Sequence, residues 1–113
     1  MKLATELMQY AKQRRYPRAI APNNLVVTWQ GGGRRGAGRV RDLSLGGIYI
    51  WNLDPPVPGT PVQLQFGAPE GEFRVSAQVR YIKPHGGMGV EFVGMDFPSR
   101  RCLSSLLQRL TTR

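Results

Sequence analysis

Cysteine and histidine are almost missing from this chain, with Cys102 and His85 the single examples among 113 residues. One cysteine cannot close an internal disulfide, and the metal-holding spacings C-x-x-C and H-E-x-x-H do not occur. His85 lies in the Gly-Pro segment KPHGG, where a solvated turn residue is expected, and Cys102 falls on an apolar stripe where a small buried hydrophobe is expected. No nucleophile, base or metal constellation is present, so the chain reads as a non-enzyme without cofactor or metal. Apolar runs are also short: none reaches the ~18 residues of a membrane-spanning helix. Lys2 and Glu6 interrupt the stretch that a signal peptide would keep apolar, so a soluble cytoplasmic protein is the expectation.

Negative charge is scarce. Seven acidic residues face sixteen basic ones, for a formal net charge of +9, and thirteen of the sixteen are Arg. Arginine offers planar paired donors and a stacking face, which points towards phosphate or guanine recognition, although charge alone is equally compatible with a basic, solvated surface. Asp54, Glu70, Glu72 and Asp96 lie in or beside connectors, where surface roles are expected.

At this length one domain with one core is expected, burying roughly two-thirds of the unfolded surface. Residues 2–13 place Leu3, Leu7, Met8 and Ala11 at helical spacing and predict a short amphipathic helix. Pro17 then forces RRYPR into an extended path. From Asn24 onwards the period is two. Leu25, Val27 and Trp29 alternate with polar or small partners, as do Val62, Leu64 and Phe66, then Phe73 to Tyr81, then Met88, Val90 and Phe92. With short strands at 39–42 and 47–51, about six antiparallel strands are predicted, forming a barrel or sandwich. GGGRRGAG at 31–38 reads as a flexible hairpin loop. Its G-x-G-x-x-G spacing is no dinucleotide fingerprint, because a strand follows it and not a helix. Pro98 and Ser99 introduce a last amphipathic helix carrying Cys102, Leu103, Leu106 and Leu110.

Asp42-x-Ser44-x-x-Gly47, within DLSLGG, is ambiguous alone, since Asp, Ser and Gly are all turn formers. Its company narrows the choice: Arg14-x-x-x-Arg18 precedes the first strand, and GMGVEF, Gly87 to Phe92, forms the last. This order resembles the PilZ domain family, whose signatures are R-x-x-x-R and [D/N]-x-S-x-x-G. The resemblance covers roughly residues 14–110. It implies a mainly β fold, a six-stranded antiparallel barrel with a C-terminal helix, here with a short N-terminal helix added. Residues 1–13 are then an N-terminal helical extension and 14–113 the PilZ domain. The implied ligand is the bacterial second messenger cyclic di-GMP.

That ligand carries two phosphates and two guanines, so its receptor needs cations together with shape-matched donors and acceptors. The expected ligand-binding residues are Arg14, Arg15, Arg18, Asp42, Ser44, Gly46, Gly47 and Trp51. Arg14 and Arg18 span up to ~13 Å when extended, enough to straddle a compact dinucleotide. Asp42 can accept from guanine N1 and N2 hydrogens, Ser44 can bond base or phosphate, Gly47 would let the backbone approach the ligand, and Trp51 is a stacking candidate. Three like charges at Arg14, Arg15 and Arg18 predict a segment that is mobile without ligand and drawn across the barrel mouth with it, carrying the helix at 2–13. The expected partner is a protein effector or a second copy of the chain as a homodimer. Two other functions remain open at this stage: a small basic barrel for single-stranded nucleic acid, against which the largely uncharged strands argue, and a ligand-free PilZ adaptor.

Overall fold

The computed structural model describes residues 16–111. The helix expected at 2–13 and the site candidates Arg14 and Arg15 lie outside the described residues. The alternation in the sequence becomes strands: β1 (Ala19–Ile20), β2 (Val26–Gly31), β3 (Arg34–Leu43), β4 (Gly47–Trp51), β5 (Pro61–Ala68), β6 (Gly71–Lys83) and β7 (Gly87–Met95), followed by helix α1 (Phe97–Thr111). Every pairing is antiparallel. The order β3-β2-β5-β6-β7-β4 closes on itself because β4 also pairs with β3, and β1 adds two residues beside the end of β3. The result is a closed six-stranded antiparallel barrel with one C-terminal helix, the expected architecture, in which closure leaves no long edge exposed.

The segment expected as a flexible loop at 31–38 is instead a tight hairpin. Gly32 and Gly33 both take positive φ, 62° and 76°, so a two-residue turn suffices, and β3 begins at Arg34. Glycine and arginine hid the strand. The glycines serve cross-strand packing: a side chain at Gly36 would meet the indole of Trp29, 2.7 Å from its ring.

Inward-facing Val27, Leu43, Ile48, Ile50, Leu64 and Phe73 form the core, with Phe66 stacked on Phe73 at 4.5 Å between centroids. Leu103 and Leu106 of α1 are fully buried in the same cluster, so the helix is part of the fold. At that helix two acidic residues have structural roles that their position in connectors did not suggest. Asp96 caps it, its Oδ1 accepting the Ser99 N–H at 2.8 Å, while Ser99 Oγ accepts the backbone N–H of Arg74 in β6 at 3.0 Å. Glu70 forms a two-pronged ion pair with Arg109. Its backbone carbonyl accepts from the Cys102 thiol at 3.1 Å. His85 is exposed in the β6–β7 turn at φ 60°.

Asp96→Ala should therefore lower the melting temperature by the loss of this cap, measured by thermal melting. Hydrogen bonds to Ser99 hold the Asp96 carboxyl below its ordinary pKa, and the Arg109 hydrogen bond does the same for Glu70. A depressed carboxylate pKa contributes stability above the ordinary carboxylate range and loses it as pH falls through the folded value. Helix attachment should hold through pH 5 and loosen only below the ordinary range near ~4. Hydrogen exchange at α1 against pH would read this directly.

Candidate functional site

DLSLGG is the turn between β3 and β4. Ser44 N–H donates to the Gly47 carbonyl at 2.8 Å, Gly46 N–H donates to Ser44 Oγ at 3.1 Å, and the Gly46 carbonyl accepts the Phe92 N–H of β7 at 2.9 Å. Ser44 is buried, so its oxygen is engaged in shaping the turn. Gly47 is the cross-strand partner of Glu91, and a Cβ there would lie 2.5 Å from the Val90 carbonyl oxygen. The approach of β7 by itself requires a glycine here. At Gly46 an added Cβ would meet the ring of Tyr16 at 2.9 Å. The middle residue of RRYPR therefore lies against the turn of DLSLGG, and the two motifs, far apart in sequence, touch.

The second contact between them is electrostatic. Arg18 Nε donates to Asp42 Oδ1 at 2.5 Å, and Arg41 Nε donates to Oδ2 at 2.7 Å. Successive residues of a regular strand point to opposite faces. Arg41 can reach its neighbour only because the β3–β4 register shifts between Val40 and Asp42, a bulge that turns both side chains outwards. Asp42 thus joins two guanidinium groups, and the repulsion expected within the arginine segment is offset at Arg18 by a carboxylate that is distant in sequence. A carboxylate has about four lone-pair sites, so two accepted bonds leave acceptor capacity for a further donor.

Arg41 extends the site further. Its guanidinium lies 3.7 Å from the centroid of the Tyr49 ring and 5.8 Å from that of Trp51, and the two rings meet edge to face at 5.5 Å. Tyr49 sits in the apolar-looking run IYIW yet faces outwards, fully buried beneath these neighbours, with its hydroxyl donating to the Gly86 carbonyl at 3.2 Å. Desolvation raises its pKa, so it stays neutral. Trp51 remains 41% exposed at the rim, whereas Trp29 is a core residue.

A hollow of about 70 Å³ lies at the turn, lined by Arg18, Ser44 and Gly47 and, from β6 and β7, by Arg80, Tyr81 and Glu91. Closed small-molecule pockets typically enclose ~300 Å³ or more, so the hollow alone is too small to enclose a molecule of that class. Of the eight candidates, the structure gathers Arg18, Asp42, Ser44, Gly46, Gly47 and Trp51 on one outer face. Arg41, Arg80, Tyr81 and Glu91 share that face and were not singled out in the sequence; the only signal was the position of Arg41 beside Asp42 in a basic stretch. Among the described residues no three His, Cys, Asp or Glu side chains gather as a metal site, and no described helix is long and apolar enough to cross a membrane.

Comparison with known proteins gives a consistent picture. The family model for the PilZ domain matches residues 12–109. No curated protein matches the chain. Among solved structures, the chain is similar to the PilZ domain with cyclic di-GMP of YcgR from Escherichia coli, at 21% identity over 87% of this chain and 91% of that one, with a TM-score of 0.70. It is similar to the inhibitor of motility MotI/DgrA of Bacillus subtilis, at 23% identity over 89% of this chain and 53% of that one, with a TM-score of 0.70. It is also similar to the MrkH–cyclic di-GMP complex of K. pneumonia, at 15% identity over 86% of this chain and 51% of that one, with a TM-score of 0.66. The chain thus spans about half the length of the last two. At these identities the likenesses establish the fold.

Proposed function

The chain belongs to the PilZ domain family, and on that premise we propose that it is a cyclic di-GMP receptor that relays the signal by protein contact, without catalysis and without cofactor or metal. The observation that carries this is the Arg18–Asp42–Arg41 cluster, which brings residues of both family signatures onto one face of the barrel. Its chemistry suits the ligand: guanidinium groups for phosphate oxygens and guanine O6 and N7, a carboxylate for guanine N1 and N2 hydrogens, and the exposed Trp51 for a base face. Three of the similar structures, two of YcgR and one of MrkH, contain cyclic di-GMP.

Arg14 and Arg15 would complete the set from the adjoining segment, at the start of a domain running over 14–113. Ligand seated against Arg18 and Asp42 would shift Tyr16 from Gly46, moving the segment and with it residues 2–13, which would present Leu3, Leu7 and Met8 to a protein effector or a second copy in the cytoplasm. Calorimetric titration of the full chain with cyclic di-GMP, with GTP and a short single-stranded oligonucleotide as controls, tests the ligand. Saturable heat with cyclic di-GMP alone is expected; heat with the oligonucleotide alone would establish a nucleic-acid binder, and no heat at all would leave a ligand-free adaptor. Hydrogen exchange over residues 2–20 with and without ligand tests the relay, which equal protection in both states would refute.

A further inference from the structure

A second bulge mirrors the one at Arg41. The β6–β7 register shifts between Val79 and Tyr81, so Arg80 is the bulged residue, and like Arg41 it turns to a carboxylate, its Nε lying 3.8 Å from Glu91 Oε2. Between the two bulges one cross-strand row runs Asp42, Tyr49, Gly89, Tyr81. Glu91 is set beside the turn by its pairing with Gly47, and where that glycine lacks a side chain the carboxylate and the DLSLGG turn share the hollow lined by Arg18 and Arg80. Two residues along β4 and two strand spacings separate Asp42 from Glu91, an offset of roughly 12 Å on the sheet. The face therefore carries two arginine–carboxylate pairs, Arg18–Asp42 and Arg80–Glu91, one from the signature motifs and one outside them.

Each pair has the same chemical meaning. Guanine presents the N1–H and N2–H donors beside the O6 acceptor, so a carboxylate next to a guanidinium complements it. Adenine presents a lone pair at N1, which a carboxylate repels. Each carboxylate is also neutralised by its arginine, so it can face a base without driving off the phosphates nearby. Resting on the cyclic di-GMP reading above, we propose that Arg80 and Glu91 form a second guanine-reading subsite, taking the base that Arg18 and Asp42 do not, and that Glu91 is a determinant of guanine over adenine.

The test is calorimetric titration of the full chain and of Glu91→Gln, Arg80→Lys and Asp42→Asn with cyclic di-GMP and cyclic di-AMP, with thermal melting of each variant. Glu91→Gln should lose about tenfold in cyclic di-GMP affinity and narrow the preference over cyclic di-AMP, because an amide can also donate to adenine N1. Arg80→Lys keeps the charge beside Glu91 but loses the planar fork, and should lose affinity for cyclic di-GMP several-fold without unfolding. Wild-type affinity and wild-type preference in both variants, with binding lost in Asp42→Asn, would overturn the subsite while leaving the receptor intact. A wild-type chain that binds neither dinucleotide would overturn both.

Discussion

Asp42→Ala is expected to weaken cyclic di-GMP binding by ten- to a hundredfold while the barrel still melts cooperatively. The carboxylate accepts from Arg18 at 2.5 Å and from Arg41 at 2.7 Å. Removing it takes away an acceptor for the base and also the group that holds both guanidiniums in place. One charge-assisted hydrogen bond is worth ~1.5–3 kcal/mol, which is about one to two decades of affinity. Loss of stability should be small, on the order of 1 kcal/mol, because Arg18 and Arg41 are 46% and 37% exposed and water can solvate them once freed. Arg41→Ala should act in the same direction through the unsupported Tyr49 and Trp51 rings. An Asp42→Ala protein that binds as tightly as the wild type would show that this cluster is only structural.

Gly47→Val is expected to have the largest effect on the fold. Its Cβ would lie 2.5 Å from the Val90 carbonyl oxygen, and that atom belongs to the backbone of a strand paired with β4 on one side and β6 on the other, so it cannot rotate away. Relief requires separating β4 from β7, two neighbouring strands of the barrel wall. A loss of several kcal/mol is expected, comparable with the severe tail of point substitutions. Gly46→Ala is the informative contrast, since its Cβ meets the Tyr16 ring, a side chain that can move. Its expected cost is under ~1 kcal/mol, with the shift confined to the arginine segment. Thermal melting and amide spectra of the two variants distinguish them. A Gly47→Val chain with native stability would mean that the β4–β7 spacing is wrong.

The strands of this barrel were legible where side chains alternate, because a half-buried strand writes its two faces into the sequence: Val27 and Trp29, Val62 to Phe66, Phe73 to Val79. The hairpin at 31–38 was not, since Gly36 faces inwards without an apolar side chain and the strand there carries arginines. Nor was β1, whose two residues are held by backbone pairing with Asp42 and Leu43. At the site, both signatures could be read, and with them Arg18, Asp42 and Trp51. The bulges at Arg41 and Arg80 could not, because each lies near the end of its strand, where a one-residue register slip has too few residues after it to show in the alternation. Gly47 was legible as necessary, but the atom its missing side chain avoids belongs to β7, a strand more than forty residues away in sequence, which no local pattern reveals.

Amide chemical-shift mapping of the full chain during titration with cyclic di-GMP tests the placement of the ligand most directly. Shifts are expected at Arg18, from Arg41 to Trp51, and from Arg80 to Glu91, the outer face of β3, β4, β7 and β6. Shifts concentrated instead in the groove of about 690 Å³ over Thr28, Gln30, Gln63 and Arg74 on the β2–β5 side, or a spectrum unchanged at saturating nucleotide, would contradict it.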